Sequence, residues 1–273
     1  MGPMQPPLVS TNHPSTPSDA SGPPAPSLPA TVIITPIVEL SLSEQKMVVS
    51  HAQKEIIGLL LTQNAVPLPK DRDDMTATAA CVAMQSVVGK SIAAQPKAVT
   101  KQMMEAMSAV HQSFKKYCSH NLHNQFKLRR PVGDSWSDID YHASRVLELL
   151  SGVDFLRDSI DHLFFSSQFF HNFIIDVLFL TSWNLWSFIL DDDLNHVFGL
   201  GGAAIAAALR DFRDGYYLKL DSSAVQWRED YTRTMRIITG MREQPAHKEW
   251  LVTCQQNLLV RGRAGLQPTS TVD

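Results

Sequence analysis

Cysteine is scarce in this sequence, and its scarcity excludes one class of fold. The three cysteines, Cys81, Cys118 and Cys254, are an odd number and lie far apart. A disulfide framework of the kind found in small secreted domains is therefore not expected, and reduced thiols indicate an intracellular protein, cytoplasmic or nuclear. The 273 residues are enough to build a core that is stable without disulfide bonds.

An excess of charge of one sign is also absent. The chain has 24 lysine and arginine residues against 27 aspartate and glutamate residues, a formal net charge of −3. This balance gives no general reason to expect a nucleic acid or an anionic membrane as the partner. The N-terminus has no basic segment followed by an apolar one, so we predict no secretory signal.

The most apolar passage, Phe173–Leu190, is about as long as the core of a bilayer is thick. Asp176 lies inside it, and a central aspartate costs about 2.5–3.5 kcal/mol on membrane insertion. Three more aspartates follow the passage, with no lysine or arginine close by to orient a span. We therefore predict no membrane span. The passage is expected to contain a buried helix with Phe173, Val177 and Leu180 packed against other helices, which either continues or breaks into a packed loop after Leu180.

Residues 1–36 differ in composition from the rest of the chain. Ten of the sixteen prolines lie there, among serine, threonine and alanine, with almost no charge. Such a segment buries too little apolar surface to offset the chain entropy lost on ordering. We therefore predict a disordered Pro/Ser-rich tail over residues 1–36, a helical domain over residues 41–262 and a flexible C-terminus over residues 263–273.

Secure β-strand alternation is absent, and the helical spacing of apolar residues dominates after the tail. Ser41 and Glu44 form a capping-box sequence at the start of the first helix. Asp71 or Asp73 is predicted to begin the second helix, and Gly89 to end it. The predicted fold class is therefore all-α, a single multi-helix globular domain. Ser135 or Ser137 is predicted to cap a later helix, further helical runs are predicted at 154–165, 166–180, 203–214, 223–239 and 246–260, and Gly215, Gly240 and Gly262 are expected just past three of them.

Three stretches of the chain resemble a known family. They are "LLLTQNAVPLPKDRDDMTATA", "AAIAAALRDFRDG" and "WREDYTRTMRIITGM", which begin at Leu59, Ala203 and Trp227. Over about residues 45–262 the chain resembles the uncharacterised helical domain of unknown function (family 6532 type) that is expanded in mushroom-forming basidiomycete fungi. The resemblance implies a helical domain after a low-complexity tail, and it implies no catalytic residue because the family has no assigned activity. The passage Trp183–Leu190 departs from the family by being more apolar than expected.

The stretch "LDDDLNH" matches part of an enzyme motif. Asp191, Asp192 and Asn195 fit the aspartate-rich pattern of terpene cyclases, in which carboxylates on one helix face hold Mg²⁺ and a substrate diphosphate. Such enzymes need a second metal motif much further downstream, and only 77 residues follow His196. We therefore predict no metal site here, and we expect Asp193 to cap the N-terminus of a short helix.

Two further patterns match only parts of known sites. The stretch Gly199–Ala204 fits a dinucleotide-binding fingerprint, but no strand is evident before it, and loop flexibility with helix entry explains the glycines better. Cys118, His120 and His123 could supply three metal ligands, but no fourth ligand stands at a recognisable spacing. A polar helix end is the simpler interpretation of these three residues.

Basic and aromatic residues alternate in the stretch "FKKYCSHNLHNQFKLRR". Such a pattern can follow a phosphate backbone. A solvated helix end explains the same charges, since lysine and arginine near a helix C-terminus complement the helix dipole. Upstream, Met103, Met104 and Met107 are expected in the core and not in a binding groove. The basic and aromatic residues concerned are Lys115, Lys116, Tyr117, Phe126, Lys127, Arg129 and Arg130.

The sequence therefore assigns no catalytic, cofactor-binding or metal-binding residue. It favours a non-catalytic helical binding domain, with a protein as the favoured partner. One alternative is a nucleic-acid-binding or transposon-associated helical module. The other, which the sequence disfavours, is a Mg²⁺-dependent enzyme that uses a diphosphate substrate.

Overall fold

Eight α-helices and no β-strand are present in the part of the chain that the computed structural model describes, which confirms the predicted all-α class. That part comprises residues 40–89, 97–126, 128, 137–159, 161–181, 183–189, 193–221 and 223–266. The predicted tail, residues 1–36, lies outside it. The helices are α1 (Leu42–Thr62), α2 (Pro69–Val88), α3 (Lys97–Gln125), α4 (Asp138–Gly152), α5 (Gln168–Phe179), α6 (Asn195–Arg210), α7 (Ala224–Glu243) and α8 (Pro245–Gly265).

Several helix ends lie where the sequence predicts them. The Ser41 N–H donates to the Glu44 carboxylate (2.8 Å) and the Glu44 N–H to the Ser41 hydroxyl (3.3 Å), which confirms the capping box. Ser137 caps α4, and Gly89 ends α2 in a left-handed conformation with φ of +70°. The start of α2 differs from the prediction, because proline at the first helical position needs no N–H partner and the helix begins at Pro69.

Other predicted boundaries are wrong. Among the described residues of the run predicted at 154–165, the only helical element is a 3₁₀ turn, Asp154–Leu156, because side chains replace the helical hydrogen bonds after it. The Ser166 hydroxyl accepts from the Asp158 N–H (3.3 Å), and the Asp158 carboxylate accepts from the Gln168 N–H (3.0 Å). Gly240 and Gly262 lie inside α7 and α8, and α8 continues to Gly265. Gly215 does adopt a left-handed conformation, with φ of +85°.

The long apolar passage divides into a helix and a turn. Helix α5 ends at Phe179, where the Thr181 hydroxyl donates back to the Val177 carbonyl (2.9 Å), and a 3₁₀ turn follows at Leu185–Phe188. Phe173 and Val177 are buried as predicted, whereas Leu180 is 62 % exposed because it lies past the last helical turn. Among the described residues, no helix combines the length and the apolar character needed to cross a membrane.

Helix α6 lies at the centre of the fold. Every residue of α6 except His196 and Arg210 is buried, and the helix contacts α1, α3, α4, α5 and α7. It begins eight residues before the run predicted at 203. The prediction missed these residues because the glycines among them suggested a loop. A helix that is apolar on all sides belongs in the interior of a large core, and α6 takes that position.

Glycines on α6 allow two neighbouring helices to approach closely. A Cβ atom added at Gly199 would lie 2.7 Å from the Tyr231 ring, and one added at Gly201 would lie 2.7 Å from Ile174 Cδ1. At Gly202 the added atom would lie 2.5 Å from Thr234 Oγ1 and 3.1 Å from Thr234 Cβ. The approach at Gly202 is the most rigid, because Thr234 Cβ is attached directly to the backbone of α7 and its hydroxyl donates to the Asp230 carbonyl.

We predict that Gly202→Ala destabilises the protein by about 1–3 kcal/mol, because the new methyl group overpacks the interface between α6 and α7. Gly240→Ala is the matched control, since no atom lies within 4 Å of a Cβ added there. This control should stabilise the protein by about 0.5–1 kcal/mol through better helix propensity. Urea unfolding of both variants measures the difference, and equal effects of the two substitutions would contradict the close packing of α6.

Candidate functional site

A groove runs along α3, between this helix, α7 and the connection from α6 to α7. It consists of two adjoining recesses, of about 540 Å³ and about 270 Å³, which share His111, Gln112 and Trp227 in their lining. On α3 the lining extends from Met104 to Ser119, which is about 22 Å at the rise of an α-helix. We call this feature the α3 groove.

An aromatic pair lies in the middle of the α3 groove. The rings of His111 and Trp227 are stacked, with centroids 5.2 Å apart and an interplanar angle of 17°. His111 Nε2 lies 2.7 Å from the Ala65 carbonyl oxygen, and since a carbonyl only accepts, this nitrogen carries the proton. Burial lowers the pKa of His111, so the imidazole is neutral near neutral pH. His111 therefore acts here as a fixed hydrogen-bond donor and not as a cation.

A second histidine, His196, contacts the same region through the Tyr231 hydroxyl. The Ala65 N–H donates to the Tyr231 hydroxyl (3.3 Å), and this hydroxyl lies 2.6 Å from His196 Nδ1. Burial lowers the pKa of His196 and raises the pKa of Tyr231. Both shifts favour a neutral imidazole whose Nδ1 accepts a hydrogen bond from the neutral Tyr231 phenol. The network joins the end of α1 to α6 and α7.

Two arginines border one end of the α3 groove. Arg72 comes from α2 and Arg228 from α7, and both line the smaller recess. Arg228 Nη2 donates to the Pro67 carbonyl (3.1 Å). The Nε–H groups of Arg72 and Arg228 are enclosed, yet neither has a hydrogen-bond partner among the described residues. Arg72 and Arg228 therefore place two guanidinium charges at this end of the groove, with their Nε–H groups turned away from solvent.

A buried ion pair forms the floor of the other end. Lys115 Nζ lies 2.9 Å from Asp211 Oδ1 and 2.9 Å from the Leu220 carbonyl oxygen. The same aspartate oxygen accepts from the Leu220 N–H (3.0 Å), and the Asp211 carbonyl accepts from the Leu218 N–H (2.7 Å). Lys115 and Asp211 therefore fix the connection between α6 and α7 against α3.

The described lining of the α3 groove is positively charged although the whole chain is slightly acidic. It contains five lysine and arginine side chains against two aspartates, a surplus of three positive charges, whereas the chain has a net charge of −3. Lys115 and Asp211 neutralise each other. The remaining charged residues in the lining are Arg72, Lys116, Lys219, Asp221 and Arg228.

The residues of the aspartate-rich motif do not assemble a site in the described part of the chain. Asp191 and Asp192 lie outside it. Asn195 is buried, and its side-chain oxygen accepts from Gln255 Nε2 (3.1 Å). The N-cap of α6 is Leu194, one residue later than predicted, because the Asp193 carboxylate accepts from the Asn195 N–H (2.8 Å) while it also pairs with Arg242 (3.2 Å).

The predicted loop at the glycine pattern is a helix interior. Gly199 and Gly201 lie in the middle of α6, packed against α7 and α5, and no strand precedes them in the described residues. The expectation of loop flexibility is therefore wrong, since these glycines serve helix packing. Cys118 is buried, and burial strongly raises the pKa of its thiol, which disfavours the thiolate that binds metals. The side chains of His120 and His123 are outside the described part.

The described residues of the basic and aromatic stretch do not form one surface. Lys115 is part of the ion pair with Asp211, and Phe126 is buried with its ring 5.1 Å from that of Phe169. The prediction of a solvated basic helix end is therefore wrong for Lys115, and Lys127, Arg129 and Arg130 lie outside the described residues. Among the described residues, no group of three or more histidine, cysteine, aspartate or glutamate side chains could hold a metal ion.

The methionines divide between the core and the groove. Met103 and Met107 are buried, which confirms their predicted place in the core. Met104 is only partly buried, and together with Met107 it also lines the smaller recess of the α3 groove. The sequence predicts all three in the core because their spacing puts them close to the same face of α3. It does not show that part of this face, at Met104, is exposed to the groove.

A cysteine–histidine pair that the sequence does not reveal lies between α5 and α8. Cys254 Sγ and His171 Nε2 are 3.3 Å apart beside a recess of about 360 Å³. His171 Nε2 is also 2.6 Å from the Phe165 carbonyl oxygen, so this nitrogen carries a proton and does not act as a base toward the thiol. Burial raises the pKa of Cys254 to about 12. The pair therefore lacks the ionised thiol that nucleophilic catalysis requires.

The three stretches that suggest a family in the sequence meet at the α3 groove. Arg72 belongs to the first, Asp211 to the second and Trp227 with Arg228 to the third. The groove residues were missed because they are far apart in sequence and carry no known chemical motif. The sequence signal that could have indicated them is that these groove residues lie within the three stretches that resemble the family.

Fold and groove together define an all-α domain with a central buried helix and a basic groove. The chain matches the family model described as "Domain of unknown function (DUF6532)" over residues 51–241, which is more than half of its length, and it therefore belongs to that family. The resemblance noted in the sequence is thus confirmed at the level of the family. No curated protein matches the chain. No solved structure matches it either.

We predict that Asp211→Ala lowers the free energy of unfolding by about 3 kcal/mol, because it leaves the Lys115 ammonium without its partner. The double variant Lys115→Met, Asp211→Asn removes both charges and keeps an oxygen for the Leu220 N–H, so its loss should be smaller. Chemical denaturation measures both losses. A single variant as stable as the double variant would show that the ion pair does not hold the connection.

Proposed function

We propose that this domain is a non-catalytic binding domain and that the α3 groove receives a protein partner. The observation that carries the proposal is the positively charged lining of this groove, which has five lysine and arginine side chains against two aspartates on a chain with a net charge of −3. A partner with negatively charged groups is the natural complement to such a lining.

The surface beside the α3 groove favours a protein as the partner. Three consecutive residues of the connection between α6 and α7, Tyr216, Tyr217 and Leu218, have large exposed side chains, and Tyr217 also lines the larger recess. Aromatic residues and arginine are enriched at protein interfaces. The aromatic connection and the basic groove together offer an apolar contact next to a charged one.

The state of the ionisable groups supports binding in preference to catalysis. His111 is neutral, and its Nε2–H is bound to the Ala65 carbonyl. Cys254 has a raised pKa, and the nearest imidazole nitrogen carries a proton. A catalytic base or nucleophile needs a pKa matched to its task, and these groups are shifted away from such values.

Nucleic-acid binding, the alternative raised by the sequence, has weaker support. Of the basic and aromatic stretch, Lys115 and Phe126 are committed to contacts inside the domain.

Three free cysteines, two of them buried, suit the intracellular location that we propose for this protein.

Site-specific photo-crosslinking in cells that make the protein tests this proposal. The crosslinker benzoylphenylalanine replaces Gln112, which is exposed in the α3 groove, or Gln256, an exposed control on α8. We expect discrete protein adducts from position 112 that position 256 does not give and that Arg228→Gln weakens. Equal adducts from both positions, adducts to nucleic acid alone, or no adduct from position 112 would refute the proposal.

A further inference from the structure

We infer that the α3 groove binds an extended acidic peptide segment with carboxylates at both ends and apolar side chains between them. This inference rests on the proposed function and adds the chemical class of the partner.

Charge complementarity selects an acidic partner. Both ends of the groove have a positive surplus beyond the internal pair of Lys115 and Asp211. Arg72 and Arg228 lie at one end, and Lys116 and Lys219 outnumber Asp221 at the other. A positive groove on a protein of net charge −3 attracts acidic segments and repels basic ones. The charge is thus concentrated where the partner would lie.

The arginine end is suited to carboxylates in particular. A guanidinium group can present its two Nη groups as a parallel fork that matches the two oxygens of a carboxylate. Arg228 already uses Nη2 for the Pro67 carbonyl, which fixes the orientation of its guanidinium group. The Nε–H groups of Arg72 and Arg228 are enclosed, so an incoming carboxylate would bind to the Nη–H groups of these two side chains.

The middle of the α3 groove indicates the chemistry of the central peptide residues, and its length indicates how many residues the peptide has. Trp227 lines both recesses in the middle of the groove, and Met104 and Met107 line the recess that Arg72 and Arg228 border, so all three offer contacts for apolar side chains. The distance of about 22 Å along α3 corresponds to about six or seven residues of extended chain at about 3.3–3.6 Å each. A segment of seven residues, acidic at both ends and apolar at its centre, therefore matches the groove in length and chemistry.

Single-stranded nucleic acid matches the groove less well. Its binding depends on aromatic faces that are free to stack with bases. Trp227 is only 8 % exposed and stacks on His111, and the Tyr217 ring lies 5.3 Å from that of Phe212. The groove therefore offers charge to a polyanion without a free stacking face at its centre.

Fluorescence anisotropy of the full chain with synthetic probes tests the inference. The probes are a labelled Glu-Glu-Leu-Phe-Leu-Glu-Glu peptide, its Gln-for-Glu and Lys-for-Glu counterparts, and a seven-nucleotide single-stranded DNA, all near physiological salt. We expect the acidic peptide to bind at least about tenfold tighter than the glutamine peptide, since each hydrogen bond to a charged group contributes a factor of this order. The lysine peptide should not bind.

Variants locate the binding. Arg72→Gln and Arg228→Gln should each weaken the acidic peptide by about tenfold, and Arg228→Lys, which keeps the charge and loses the fork, should also weaken it. Arg236→Gln is the matched control, because Arg236 is exposed on α7 and does not line the groove. Thermal melting followed by circular dichroism checks that each variant is folded.

Four results would overturn the inference. The first is equal binding of the acidic and glutamine peptides. The second is tighter binding of the DNA, and the third is acidic-peptide binding that the control substitution weakens as much as the groove substitutions do. Absence of acidic-peptide binding at millimolar concentration would overturn it as well. In each case the crosslinking from position 112 decides separately whether the proposed function stands.

Discussion

The burial of α6 on all sides is the constraint on which the rest of this domain depends. Because the helix is rich in glycine and alanine, α7 approaches it at Gly199 and Gly202, and α5 approaches it at Gly201. Close approach increases the number of van der Waals contacts and leaves no space for larger side chains. The positions of the neighbouring helices are therefore set by the surface of α6.

The C-terminal end of α6 also fixes the elements that form the α3 groove. Arg210 forms a bidentate pair with Asp230 of α7, with nitrogen–oxygen distances of 2.5 and 2.6 Å. The next residue, Asp211, holds both Lys115 of α3 and the amide of Leu220. Two consecutive residues thus fix the walls of the α3 groove, one on α7 and one on the connection that closes it. A groove held in this way is preformed, which reduces the ordering cost of binding.

Local signals in the sequence predicted local structure well. The capping box at Ser41, the cap at Ser137 and the glycine end of α2 are confirmed, because each depends on a few adjacent residues. The breaking of the apolar passage after α5 agrees with one of the two expectations for it, although Leu180 proved exposed.

Features that depend on tertiary contacts were predicted poorly. The sequence predicts a loop for the first half of α6 because glycine has a low helix propensity. The packing of α5 and α7 against these glycines stabilises the helix instead. The α3 groove was not predicted at all, because Arg72, His111 and Arg228 come from three separated helices and form no motif along the chain.

Native-state amide hydrogen exchange tests most directly whether α6 holds the domain together. If it does, the amides from Gly199 to Ala208 exchange only through global unfolding, with the free energy that denaturant titration gives for the whole domain. The Leu218 and Leu220 amides, in the connection that closes the groove, should exchange at a lower free energy because this connection is near the surface. Exchange of the α6 amides through local openings several kcal/mol below the global value would contradict the central role of this helix.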